Sequence, residues 1–139
     1  MEKLLWSCPG IENIFIIVRS KKGKAVQERV EEVTSSPAFD RIRASHPEYL
    51  RKIVALEGDI TMENLGMSAQ DLERFYEKVN LIFHSAASIR MDEPVRDAIN
   101  HNTLPTKRLI GMAKNIKNLD VRFWDLKNIF SDFYLIKKI

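Results

Sequence analysis

The 139-residue sequence predicts an α/β fold around a parallel sheet, and three observations carry that prediction. Short apolar runs of strand length recur in "NIFIIVRS", "KIVALEGD" and "VNLIFH". Segments with apolar residues at helical spacing alternate with them. Four small residues, Ser85, Ala86, Ala87 and Ser88, then close the third run. Strand and helix in alternation favour parallel strands joined by right-handed crossovers, and strands covered on both faces read as nearly continuous apolar runs.

Each element has a local cause. "MEKLLWSCPG" reads as a helix end stopped by Pro9 and Gly10, followed by a first strand rich in β-branched and aromatic residues, Ile14 to Val18. "KKGK" turns the chain into "AVQERVEEVTSS", where Val26, Val30 and Val33 form an apolar stripe. Ser36 to Lys52 reads as irregular. "KIVALEGD" is a second strand ended by Gly58. In "SAQDLERFYEKV", Ser68 and Asp71 have the spacing of a helix-capping pair, and Leu72, Phe75, Tyr76 and Val79 line one face. The third strand carries Leu81, Ile82 and Phe83. Pro94 then suits a first helical position, and Pro105 must interrupt or kink the helix it opens, because it lacks the N–H that a helix interior uses. From Leu119 onward the pattern loses its period, and the segment reads only as an ill-defined tail, for which a strand followed by a helix is one arrangement.

Bulk properties exclude several classes. The 22 Lys and Arg are interleaved with 19 Asp and Glu, so a formal charge of +3 provides no concentrated patch for nucleic acid. Cys8 stands alone, which excludes an internal disulfide and suits a reducing compartment. One cysteine and three scattered histidines give no metal-ligand spacing, so no metal is expected. No apolar run approaches the roughly 20 residues of a membrane span. The small residues at the end of the third run instead raise a nucleotide question: in open α/β sheets ligands sit outside the carboxyl ends of the strands, where small side chains permit close approach.

Two stretches, "RSKKGKAVQERVEEVTSSPAFDRIRASHPEYLRKIVALEGDITMENLGMS" and "VNLIFHSAASIRMDEPVRDAINHNTLPTKRLIGMAK", resemble the nucleotide-binding domain of the fatty acyl-CoA reductases. These are an alcohol-forming branch of the extended short-chain dehydrogenase/reductases. The resemblance covers residues 1–118 and leaves 119–139 as a divergent tail. It implies a doubly wound, Rossmann-like sheet, NADPH as cofactor, a long-chain fatty acyl-CoA as substrate and a fatty alcohol as product. It also implies association with the membrane of the endoplasmic reticulum or peroxisome.

Site residues follow from the same resemblance. Arg19, at the end of the first strand, would hold the 2′-phosphate of NADP through its guanidinium, with Lys21 and Lys22 nearby. Asp59 would accept from the adenine amine while Ile60 packs on the ring. Ala86 and Ala87 would line the crevice beneath the cofactor, and Asn102 would serve as a cofactor-side or auxiliary catalytic residue on the helix. His84 reads as a satisfied core histidine. Tyr134 and Lys138 have i, i+4 spacing, but Ser131 stands too close ahead of them for the family's catalytic arrangement, so they are set aside.

The departures from the family bear on fold and activity alike. The sequence opens just past the family's first strand and glycine-rich loop, "LDVRFWD" replaces the strand with the catalytic serine, Pro105 stands for a usual glycine and Met91 for a usual phenylalanine. The expectation is a partial Rossmann-like sheet lacking its first strand and glycine-rich loop, an interior fragment of a reductase that is inactive by itself. In the order 3-2-1-4-5 the missing strand would come out of the centre of the sheet, so that the strands at 14–18 and 81–83 must either pair across the gap or leave apolar surface and unpaired backbone exposed. The other readings are a noncatalytic Rossmann-like module that binds a nucleotide or a protein partner, and another extended dehydrogenase such as a sugar-nucleotide epimerase.

Overall fold

The computed structural model describes residues 1–20, 25–120, 124–125 and 133–136, the last two segments as backbone strands. Lys21, Lys22 and Lys138 lie outside the described residues. The three strands expected from the apolar runs are present as β1 (Ile14–Val18), β2 (Ile53–Glu57) and β3 (Leu81–His84). Two more, β4 (Trp124–Asp125) and β5 (Phe133–Ile136), come from the region read as a tail. The order across the sheet is β2-β1-β5-β3-β4.

Side-chain alternation along the strands divides the core. Ile14 and Ile16 point to one face with Ile53, where α1 (Glu2–Ser7), α2 (Val26–Thr34) and α3 (Asp40–Ser45) contribute Leu5, Val30 and Ile42. Phe15, Leu56 and Ile82 point to the other, against Phe75 of α4 (Ala69–Lys78) and Leu109 and Met112 of α6 (Leu104–Ala113). Helices thus cover both faces, the arrangement of a doubly wound sheet, and this is why both faces of β1 are apolar. Ser68 caps α4 by accepting from the Asp71 amide at 3.1 Å, as the spacing implied.

The structure departs from the sequence reading in four places. Residues 36–52 are ordered into two 3₁₀ turns, Pro37–Phe39 and Pro47–Lys52, on either side of α3. Proline opens both turns, where its missing N–H costs nothing. Pro94 caps α5 (Val95–Ala98) from just outside it. Pro105 neither ends nor sharply breaks the long helix. A π turn at Ile99–Thr103 joins α5 to α6 immediately before it, widening the backbone where the proline ring would meet the preceding carbonyls.

The fourth departure is the largest. The sheet is mixed, not wholly parallel. β1 pairs with β2, and β3 with β4, in parallel, but β5 lies between β1 and β3 and runs antiparallel to both. The strands at 14–18 and 81–83 thus neither pair with each other nor face an open gap: the chain's own Phe133–Ile136 lies between them. The tail is strand followed by strand, and Tyr134 sits in β5, so no helix turn brings it to an i, i+4 partner.

Candidate functional site

The carboxyl ends of β1, β2 and β3 converge on one cleft of about 390 Å³. Arg19 follows directly on β1. Its neighbour across the rim is set by β2: the Gly58 amide donates to the Val18 carbonyl at 3.0 Å, so the residue after Gly58 emerges beside Arg19. That residue is Asp59, whose Oδ1 accepts from the Arg19 guanidinium at 2.7 Å. Glycine at 58 has a direct cause, since a Cβ there would stand 2.5 Å from the Leu65 carbonyl oxygen.

A left-handed turn behind the rim holds Asp59 in place. Asn64, Leu65 and Gly66 all have positive φ, and the Leu65 carbonyl accepts from the Asp59 amide at 2.7 Å. Positive φ at a buried leucine is strained backbone, sustained here because Leu65 is fully buried in the core. The Thr61 amide and hydroxyl also donate to Asp59 Oδ1, at 2.9 and 2.6 Å. Burial pushes the Asp59 carboxyl up, but the bonds from Arg19 and Thr61 and the Arg19 charge outweigh it and hold the carboxyl below its usual value.

The floor of the cleft is the small-residue stretch after β3. Ala86 is buried, Ala87 is exposed, and both line the cleft with Ser88. Ile60 lines it too, half-buried against the core. Asn102 does not line the cleft. It stands behind the floor in the π turn, where its Oδ1 accepts from the Ser88 amide at 2.6 Å and its Nδ2 donates to the Ser88 carbonyl at 3.3 Å. His84 supports the same turn: it is buried, and its Nε2 lies 2.8 Å from the Thr106 hydroxyl. That hydroxyl donates to the Asn102 carbonyl, which leaves it an acceptor for an Nε2–H of His84.

The structure thus brings Arg19, Asp59, Ile60, Ala86 and Ala87 to one rim, with Asn102 positioning the loop between them. Four further cleft residues were not singled out from the sequence: Arg29, Arg90, Glu93 and His101. Arg29 Nε is buried without a hydrogen bond among the described residues, its charge facing Glu32 Oε2 at 3.7 Å. A signal for it existed, because Arg29 falls three residues after Val26 and four before Val33, on the apolar stripe itself. Glu93 and His101 pair at 2.7 Å across the start of α5, a contact that no local spacing announces.

An NAD-binding family model described as "Male sterility protein" matches residues 1–124. Among curated proteins the chain is similar to fatty acyl-CoA reductase 1 of Pongo abelii, 44% identical over 121 residues, and of Homo sapiens, 43% identical over the same length. Each match covers 87% of this chain and 24% of the relative. The fatty acyl-CoA reductase wat of Drosophila melanogaster is 38% identical over 119 residues, covering 86% of this chain and 23% of that protein. The chain therefore spans about a quarter of the length of the curated relatives it matches. A solved structure, the terminal R domain from the myxalamid PKS-NRPS biosynthetic pathway, superposes with a TM-score of 0.64 at 20% identity. That match covers 88% of this chain and 29% of the other, and supports a Rossmann-like fold. The chain belongs to the male sterility protein family of NAD-binding domains, and the curated relatives it resembles are fatty acyl-CoA reductases.

Proposed function

We propose that residues 1–118 form the adenosine-binding part of an NADPH-dependent, alcohol-forming fatty acyl-CoA reductase. The observation that carries the reading is the convergence of three guanidinium groups, Arg19, Arg29 and Arg90, on a cleft at the strand ends, where Arg29 Nε makes no hydrogen bond among the described residues and only a long ion pair to Glu32 at 3.7 Å. A phosphate on the adenosine ribose suits that donor set, because Arg presents several N–H groups in a planar fork matched to phosphate oxygens. Asp59 and Ile60 would flank the base, and Ala86 and Ala87 would admit the ribose without steric conflict. Asn102 acts as an auxiliary by fixing the Ser88 backbone.

When bound, NADPH supplies the hydride for reduction. Conversion of a long-chain fatty acyl-CoA to an alcohol consumes two hydrides and releases the thiol of coenzyme A. Residues 1–139 alone are expected to bind without catalysing that reduction. No helix among the described residues is long and apolar enough to cross a membrane.

Calorimetric titration with NADPH and NADH tests the reading. The chain is expected to prefer NADPH by about tenfold or more, the effect of one charge-assisted contact to a phosphate, and Arg19→Ala should remove the preference. Equal affinity for the two cofactors would contradict it.

A further inference from the structure

The cleft carries a polar pair that the cofactor reading leaves unused. Glu93, in the loop before α5, and His101, in the π turn, both line it. Glu93 Oε1 and His101 Nδ1 stand 2.7 Å apart. An ionised carboxylate only accepts, so Nδ1 carries the hydrogen, and Nε2 is the ring atom left to gain or lose a proton. The Glu93 side chain is 7% exposed, and its Oε2 is buried without a hydrogen bond among the described residues. The His101 side chain is 37% exposed and in reach of water.

A buried carboxylate with one oxygen unbonded is compensated far better by an imidazolium than by a neutral ring. Histidine is also the side chain that changes charge between pH 5 and 8. The rest of the cleft decides what that change does. Arg19 faces it from the end of β1, Arg29 from α2, Asp59 from the end of β2 and Arg90 from the floor loop, and Met1 lines it ahead of α1. With Glu93 ionised and His101 neutral, the formal charge of these side chains is +1, and with His101 protonated it is +2. Other carboxylates lie close by: Glu32 beside Arg29, Asp92 beside Arg90, and Asp97 four positions before His101. Asp and Glu ordinarily titrate below pH 5, so these add the same charge to both states.

We propose that the Glu93–His101 pair is a pH-sensitive charge switch on this cleft. Its affinity for an anionic ligand rises as His101 gains a proton and falls as that proton leaves. The coupling is reciprocal: a bound anion favours the protonated ring by the same factor, so binding near neutral pH takes up protons from solution. The inference rests on the NADPH reading for its probe and adds a regulation that the reading does not contain.

Calorimetric titration of the chain with NADPH at pH 6, 7 and 8, in two buffers of different ionisation heat, tests this against His101→Gln. A phosphate monoester such as the 2′-phosphate itself titrates near pH 6, but equally against both chains. The ratio of affinity at pH 6 to affinity at pH 8 should be about threefold or more larger for the parent chain than for the variant. Proton uptake at pH 7 should fall in the variant. Glu93→Gln, checked for folding by circular dichroism, should bind NADPH about threefold or more tighter than the parent at pH 8, because a negative charge leaves the cleft wall. Loss of a merely structural fastening would weaken binding instead. Equal pH ratios in the parent and His101→Gln would overturn the switch and leave the NADPH reading standing, as would weaker binding by Glu93→Gln at pH 8. Failure of NADPH to bind at millimolar concentration at every pH would overturn both inferences.

Discussion

Asp59 is the residue on which the rim is assembled, because it joins the ends of two strands through Arg19 and Thr61. Its carboxyl is held below the usual value, so its contribution to stability has a defined pH sign. A group whose folded pKa is depressed stabilises fully above its unfolded value, near pH 4, and loses that contribution as pH falls through the folded value. Asp59→Asn is expected to cost about 1 kcal/mol or less at pH 7, since the Arg19 side chain is 59% exposed and the pair is screened by water. The gap from the wild type should close below about pH 4, as urea midpoints at several pH values would show. A gap that widened in acid would mean the carboxylate is not the stabilising form. The family resemblance singled out Arg19 and Asp59 near the ends of two apolar strand runs, and the structure brings the two side chains together. Glu93 and His101 were not singled out, because their pairing depends on the path of the chain between β3 and α5.

At the scale of elements, the join between α5 and α6 positions the floor of the cleft. Pro105 forces a departure from α-helical bonding, the π turn absorbs it, and Asn102 in that turn clamps both backbone groups of Ser88. Asn102→Ala should cost about 1–2 kcal/mol, the worth of two partly buried hydrogen bonds, measured by chemical denaturation. Amide exchange at Ser88 should accelerate with it, whereas unchanged exchange would show that the clamp does not hold the loop. The sequence showed that Pro105 must perturb the helix, but not how, since kink, break and π turn all satisfy a missing N–H. Residues 36–52 were read as irregular for a related reason. Each piece is shorter than two helical turns, and their order comes from packing of Phe39 and Ile42 in the core.

For the molecule as a whole, the three parallel strands and the helices on both faces were legible because each has its own period. The filling of the sheet's centre was not. Phe133–Ile136 is a four-residue apolar run, too short for its periodicity to distinguish strand from helix, and its place is set by partners about 50 and 120 residues earlier in the chain. Leu135 pairs with Phe15 on one side and Ile82 on the other, so Leu135→Pro removes an N–H from the centre of the sheet. Each backbone group left buried without a partner costs about 1–3 kcal/mol, against a typical net stability of about 5–15 kcal/mol. The variant is expected to lose its cooperative thermal transition or melt well below the parent chain. An unchanged transition would show that β5 does not hold the two halves of the sheet together.

The cleft at the strand ends is the proposed place of NADPH binding. Two-dimensional amide NMR of the labelled chain, recorded during NADPH titration, measures this residue by residue. The largest shifts should fall on Arg19, Asp59, Ile60 and Ala86 to Ser88. Shifts concentrated instead at the hollow lined by Gln27, Val30, Leu50 and Ile53, with the rim unmoved, would contradict it.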